Sequence, residues 1–187
     1  MSSQSSSLIS DNHRPPASSL PGETLAFAER IFDGARAGDL PLLTSAIEAG
    51  LPVELTNASG ELSSYCYSDM NVQFIHHNTF RLDEFPDEGN NLLMLAAYHG
   101  RAELVRFLLS RGAQPDRLNE RGQSALSGAV FKGWTEVVKA LVEAGADIRA
   151  GKPNAIDCAY MFKRDDYWQL LGASASEISS DVPQRIP

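Results

Sequence analysis

Apolar and polar positions follow one pattern twice between residues 89 and 149. The first copy reads GNNLLMLAAYHGRAELVRFLLSRGAQPD over residues 89–116, and the second reads GQSALSGAVFKGWTEVVKALVEAGADIR over 122–149. Leu93, Ala96 and Ala97 fall at i, i+3, i+4, and Leu126, Ala129 and Val130 repeat them. That spacing predicts a short helix with one apolar stripe, and its small residues let a neighbouring helix come close. Gly100 and Gly133 are placed to end this helix, since glycine enters the left-handed conformation without a Cβ clash. A second helix is predicted to follow. Leu104, Val105, Leu108 and Leu109 form its core face, and Val137, Val138, Leu141 and Val142 match them. Gly112 and Gly145 stop it, and polar residues lead to the next unit. Three glycine pairs (Gly89 and Gly122, Gly100 and Gly133, Gly112 and Gly145) share an offset of 33 residues. A fixed period of that length marks a stack of repeats, because one helix pair cannot bury its own apolar face.

The pattern continues outward in weaker form. In 24–50, Leu25, Ala28, Ile31 and Phe32 lie on one helical face, and Leu42, Leu43, Ala46 and Ile47 on another. Gly38 and Gly50 are 12 apart, as are Gly100 and Gly112. The longer, more charged first helix suits an end repeat, which needs a polar outer surface. Beyond Ala150, aligning Ile156 and Ala159 with Leu126 and Ala129 gives a period of 30, so the connecting loop is three residues short. Asn154 or Asp157 is expected to open a helix carrying Ile156, Ala159 and Tyr160. Asp165 is expected to open the last one, with Tyr167, Trp168, Leu170 and Leu171 inside or at the rim.

This arrangement resembles the ankyrin repeat family. The resemblance rests on the paired glycines, on Ala96-Ala97, and on the Gly-Ala-x-x-Asp close at Gly112 to Asp116, shortened at Gly145-Ala146-Asp147. The family's threonine-proline-leucine-histidine opening is degenerate, as Asn91-Leu92-Leu93-Met94 and Ser124-Ala125-Leu126-Ser127. The resemblance implies an all-α solenoid of four helix-turn-helix repeats over 23–172, the outer two acting as caps. It also implies that ligands are held by the projecting loops and by the exposed face of each first helix. The residues at those positions are Asn90, Tyr98 and His99 in the second repeat and Glu120, Arg121, Gln123, Phe131 and Lys132 in the third. Tyr98 and Phe131 are 33 apart and are expected side by side.

One step breaks the period. Gly112 is followed by Gly122 after ten residues, and Gly50 by Gly60 after the same interval, yet the next repeat opens at Gly89. Residues 61–89, 29 in number, are therefore an insert, placed by the resemblance at the tip of a projecting loop. The insert holds six acids (Glu61, Asp69, Asp83, Glu84, Asp87, Glu88), one base (Arg81), and the aromatics Tyr65, Tyr67, Phe74, Phe80 and Phe85. Three readings stay open: a partner-binding arm with aromatic anchors in an acidic field, a passive excursion, or an unspliced segment, since Gly60-Glu61 can be encoded by GGTGAG.

Composition narrows the function classes. A net charge of −8 speaks against a nucleic-acid backbone or an acidic membrane surface as partner. No apolar run approaches the length of a bilayer span, and the N-terminus lacks the build of a secretory signal. Two cysteines, Cys66 and Cys158, are too few for a disulfide framework, so a cytoplasmic or nuclear location is expected. Residues 1–22, with eight serines and three prolines, and 173–187 are expected to be disordered tails. No phosphate-binding G-x-x-x-x-G-K-[ST] loop, H-E-x-x-H or C-x-x-C occurs. Cys66 with His76 or His77 is the alternative, a thiol or metal site (with Asp69) in the insert, but nothing nearby predicts rigid placement or an activated thiolate. Cys158 reads as core and His99 as solvated surface. The expected function is a monomeric, non-catalytic protein-binding module (scaffold, adaptor, inhibitor or dedicated chaperone) without a cofactor.

Overall fold

The computed structural model describes residues 22–57, 89–180 and 182. The expected tail over 1–21, the insert from 61 to 88, and the end from 183 lie outside the described residues. Among the described residues eight α-helices follow in order: α1 Gly22–Ala37, α2 Leu40–Glu48, α3 Leu92–Tyr98, α4 Ala102–Ser110, α5 Ala125–Lys132, α6 Thr135–Glu143, α7 Ala155–Met161 and α8 Tyr167–Leu171. Helix α1 begins at Gly22, the last residue assigned to the tail. Among the described residues there is no named strand, only the isolated antiparallel bridges Thr56 to Asn91 and Leu118 to Ser124.

The helices pair α1–α2, α3–α4, α5–α6 and α7–α8, and the first helix of each pair packs on the first helix of the next. This central row explains a difference from the expected single stripe. Helix α3 lies among α1, α4 and α5, so Leu92, Met94 and Leu95 are buried along with Leu93, Ala96 and Ala97. The second helices face solvent on one side and keep a clean stripe: Leu104, Val105 and Leu108 in α4, and Val137, Val138 and Leu141 in α6, are all at 0–1% exposure. Leu109 and Val142 are only half-buried. In α2 only Leu43 is fully buried; Leu42, Ala46 and Ile47 sit at the rim.

Three of the first helices, α3, α5 and α7, open on a polar cap. The side chains of Asn91, Ser124 and Asn154 accept from the backbone N–H of Met94, Ser127 and Asp157, at 2.9, 3.1 and 2.9 Å. These caps satisfy an amide that would otherwise be an orphan in a buried turn, so the opening does not need the threonine and histidine missing here.

A second ladder joins neighbouring pairs. The residue after each helix-closing glycine lies over the glycine of the preceding pair. Arg101 covers Gly38 and donates from Nε to the Arg36 carbonyl at 2.7 Å. Trp134 covers Gly100 and donates from Nε1 to the Tyr98 carbonyl at 2.9 Å. Arg164 covers Gly133, but its Nε is buried without a hydrogen-bond partner among the described residues. Lys163, 30 residues after Gly133, takes a glycine's conformation at φ 53°. The shortened period therefore leaves a strained lysine where the other pairs have glycine.

Acidic rungs connect the loops in the same register. The Glu54 carboxylate accepts from Gln114 N at 2.7 Å and from Arg117 at 3.1 Å, and Asp116 accepts from Asp147 N at 2.7 Å. Where the third rung would need an acid the chain has Arg149, which meets Glu177 from a 3₁₀ turn, Ala175–Glu177. The buried Asp157 carboxylate accepts from Ser179 N at 2.9 Å and Ser179 Oγ at 2.8 Å. Residues 173–180, expected to fray, are thus tied to the last pair by hydrogen bonds that no periodicity announces. Helix α8 starts one residue later than expected: Asp166 is its N-cap, and Asp165 accepts from Trp168 Nε1 at 3.3 Å instead.

Candidate groove of the inner repeats

The C-terminal ends of α3, α5 and α7 place three aromatic side chains in a row. Tyr98 ends α3, Phe131 is the penultimate residue of α5, and Phe162 caps α7. Tyr98 and Phe131 stack with centroids 6.4 Å apart and planes 23° apart, and Phe131 meets Phe162 edge-on at 4.6 Å. The expected neighbourhood of Tyr98 and Phe131 is therefore found, with a third ring the period of 30 did not align. Both residues are half-buried, while Phe162 is 40% exposed. Lys132 lays its ammonium over the Tyr98 ring at 4.5 Å and 5.5 Å from the centre of Phe131. His99 is exposed and meets Tyr98 edge-on at 5.7 Å.

This row is one wall of a groove of about 460 Å³. Met94, Leu95 and Cys158 form the floor, each at most 6% exposed. The opposite wall is polar and preorganised. Asn119 Nδ2 donates to Asn90 Oδ1 at 3.0 Å and to Gln123 Oε1 at 3.1 Å, while Asn119 Oδ1 accepts from the backbone N–H groups of Arg121 and Gln123. One amide thus fixes the loop tip and orients two groove side chains. Asn119 was not among the expected site residues, nor were Met94, Met161 or Phe162, because each enters through contacts between repeats.

Of the eight expected residues, Asn90, Tyr98, His99, Gln123 and Phe131 line the groove, and Lys132 reaches it through its rings. Glu120 and Arg121 do not line it: they are exposed on the loop tip, where the Glu120 stem lies against Gly89.

The groove's floor offers no activated nucleophile. Burial, helped by the Asp157 charge, pushes the Cys158 thiol up to about 12, so the thiolate is absent near neutral pH. Among the described residues no three of His, Cys, Asp and Glu gather to hold a metal ion. Cys66, Asp69, His76 and His77 lie outside the described residues.

The flanks of the insert are described, and they fit the inner register. Asn57 N donates to the Asn90 carbonyl at 3.0 Å, as Asn119 N does to that of Gln123. The bridge Thr56 to Asn91 answers the bridge Leu118 to Ser124. Gly89 at φ 70° repeats Gly122 at φ 72°. Asn57 and Gly89 thus stand where Asn119 and Gly122 stand one repeat later, on either side of the sequence step, with Asn57 bonded to Asn90 at the groove's edge.

A family model for ankyrin repeats (3 copies) matches residues 62–176, more than half of the chain. No curated protein matches it. No helix among the described residues is long and apolar enough to cross a membrane.

Proposed function

The chain belongs to the ankyrin repeat family, and from that premise we propose that it is a non-catalytic module that binds a partner protein through the groove above. The observation that carries this reading is the row Tyr98, Phe131 and Phe162, open along a groove whose other wall is held by Asn119. Aromatic side chains on rigid elements give large contact area at low cost in side-chain freedom, which is the usual make-up of an interface hot spot. Helix ends hold all three rings, so the row exists before a partner arrives and binding need not order it.

In this reading four repeats build the scaffold, with α1–α2 and α7–α8 as caps. The glycine ladder from Gly38 through Gly100 to Gly133 supports that count, since one stacking rule relates successive pairs. Asn90, Tyr98, His99, Gln123, Phe131 and Lys132 face the partner within the groove, and Glu120 and Arg121 meet it from the loop tip. A monomeric scaffold, adaptor, inhibitor or chaperone role and a cytoplasmic or nuclear location belong to the same proposal, the last resting on cysteine content alone.

The test is affinity capture by the full chain beside a Tyr98→Ala/Phe131→Ala double variant. The double variant should hold its melting temperature to within a few degrees and lose more than about 1 kcal/mol of partner affinity. A folded double variant that captures the same partners equally well would overturn the groove reading.

A further inference from the structure

Asp157 is the only buried charged side chain among the described residues, at 3% exposure. The residues at its place in the preceding pairs, Ser127 and Met94, carry no charge. Among the described residues Ser179 supplies every hydrogen bond that its carboxylate receives: the Ser179 N–H donates to Oδ1 at 2.9 Å and the hydroxyl to Oδ2 at 2.8 Å. A buried charge is costly unless it is paired and hydrogen-bonded, so one serine here does what an ion pair does elsewhere. Ser179 lies in the strap 173–180 that follows α8. Glu177 of the strap accepts from the Ser174 N–H and hydroxyl and meets Arg149, which is exposed, so that tether is weak. The firmer tether is Ser179 on Asp157, with Asn154 Nδ2 donating to Ser179 Oγ at 3.4 Å. Asp157 stands in the first turn of α7, directly before Cys158.

We propose that Asp157 and Ser179 form a clasp that phosphorylation of Ser179 opens, freeing the strap and loosening α7. The proposal goes beyond the groove reading and stands without it. A serine kinase transfers the γ-phosphoryl group of a nucleoside triphosphate: the Oγ–P bond forms, the bond to the β-phosphate oxygen breaks, and a nucleoside diphosphate and the hydroxyl proton leave. That proton is the one Oγ donates to Asp157. In its place comes a group of charge about −1.5 to −2 that only accepts, set against a buried carboxylate. Like charges this close repel strongly where water is excluded. Asp157 can then be hydrated only if the first turn of α7 opens. Ser179 is half-buried in a short segment with an acid two residues to either side, Glu177 and Asp181. That sequence suits a kinase that favours acidic segments, which reaches the hydroxyl when the strap frays.

Phosphoserine installed at position 179 of the full chain, followed by amide deuterium exchange, tests it. Amides of the strap and of α7 should exchange at least about tenfold faster than in the unmodified chain, while α3 to α6 keep their protection. Ser179→Thr keeps the hydroxyl and should match the unmodified chain. Phosphoserine at position 176, exposed in the same strap, adds the same charge away from Asp157 and should change the exchange by less than about threefold. Asp157→Asn should restore protection to the chain phosphorylated at 179, because an amide can donate to the phosphate. In a Cys66→Ala background, phosphorylation at 179 should also speed labelling of the Cys158 thiol at least about tenfold. Unchanged exchange in the strap, equal opening from position 176, no rescue by Asp157→Asn, or a fast strap above an unlabelled Cys158 overturns the proposal. Protection that survives phosphorylation at 179 and is lost only with Arg149→Met places the phosphate on Arg149 and overturns it as well. If α3 to α6 lose protection together with α7, the phosphate unfolds the whole array, and a clasp confined to the last pair is overturned.

Discussion

Gly100→Ala separates the two reasons for a glycine at the end of α3. The first is backbone conformation: φ is 74°, where a Cβ costs about 1–2 kcal/mol. The second is the neighbour: a Cβ at Gly100 would stand 2.7, 2.9 and 3.1 Å from three Trp134 ring atoms. The indole must move, and moving it breaks the 2.9 Å bond from Trp134 Nε1 to the Tyr98 carbonyl, worth about 0.5–1.5 kcal/mol. The sum is about 1.5–3.5 kcal/mol. Gly112 is the internal control, because its φ is 89° but a Cβ there meets nothing within 4 Å, so Gly112→Ala should cost only the first part. Urea denaturation followed by circular dichroism gives both values. In a Trp134→Ala background the excess cost at Gly100 should vanish, which a double-mutant cycle reads directly. Equal costs at Gly100 and Gly112, or an excess that survives in the Trp134→Ala background, would refute the stacking account.

Three further outcomes are expected. Excising residues 58–86 leaves Asn57-Asp87-Glu88-Gly89-Asn90, which matches Asn119-Glu120-Arg121-Gly122-Gln123 in length and glycine position; shortening that connection should raise stability by about 1–2 kcal/mol, and loss of the helical signal in circular dichroism would contradict it. Lys163→Gly should stabilise the last pair by roughly 0.5–1 kcal/mol in thermal melts, because the backbone there already has a glycine's φ of 53°. In a Cys66→Ala variant, Cys158 should resist aromatic disulfide reagents at pH 8 until denaturant is added, since it is 3% exposed and its thiol is pushed up to about 12; fast labelling of the native chain would show that the floor of the groove opens.

What could be read in advance divides along a physical line. The 33-residue glycine spacing and the Leu108 and Leu141 stripes are intrachain signals, because a helix end and a buried face each constrain residues a few positions apart. Contacts between repeats leave no such trace. Asn119 clamps Asn90 of the preceding unit, and past the array Asp157 receives Ser179, through pairs that share no period. Phe162 shows how the two kinds of information part. An alignment by core residues with a period of 30 sets Met161 opposite Phe131, and the structure puts the next residue's ring there, since Phe162 as the cap of α7 has left the helical register. Above its helical floor the groove is made from such positions, at helix ends and loop tips, where the backbone departs from the helix and periodicity stops predicting direction. The scaffold of an array like this is therefore legible from spacing, while the surface that discriminates among partners is set one repeat against the next. Lys132 is the sharpest case: as a residue it is an ordinary cation in a last helical turn, and only the Tyr98 ring from the preceding repeat joins it to the aromatic row.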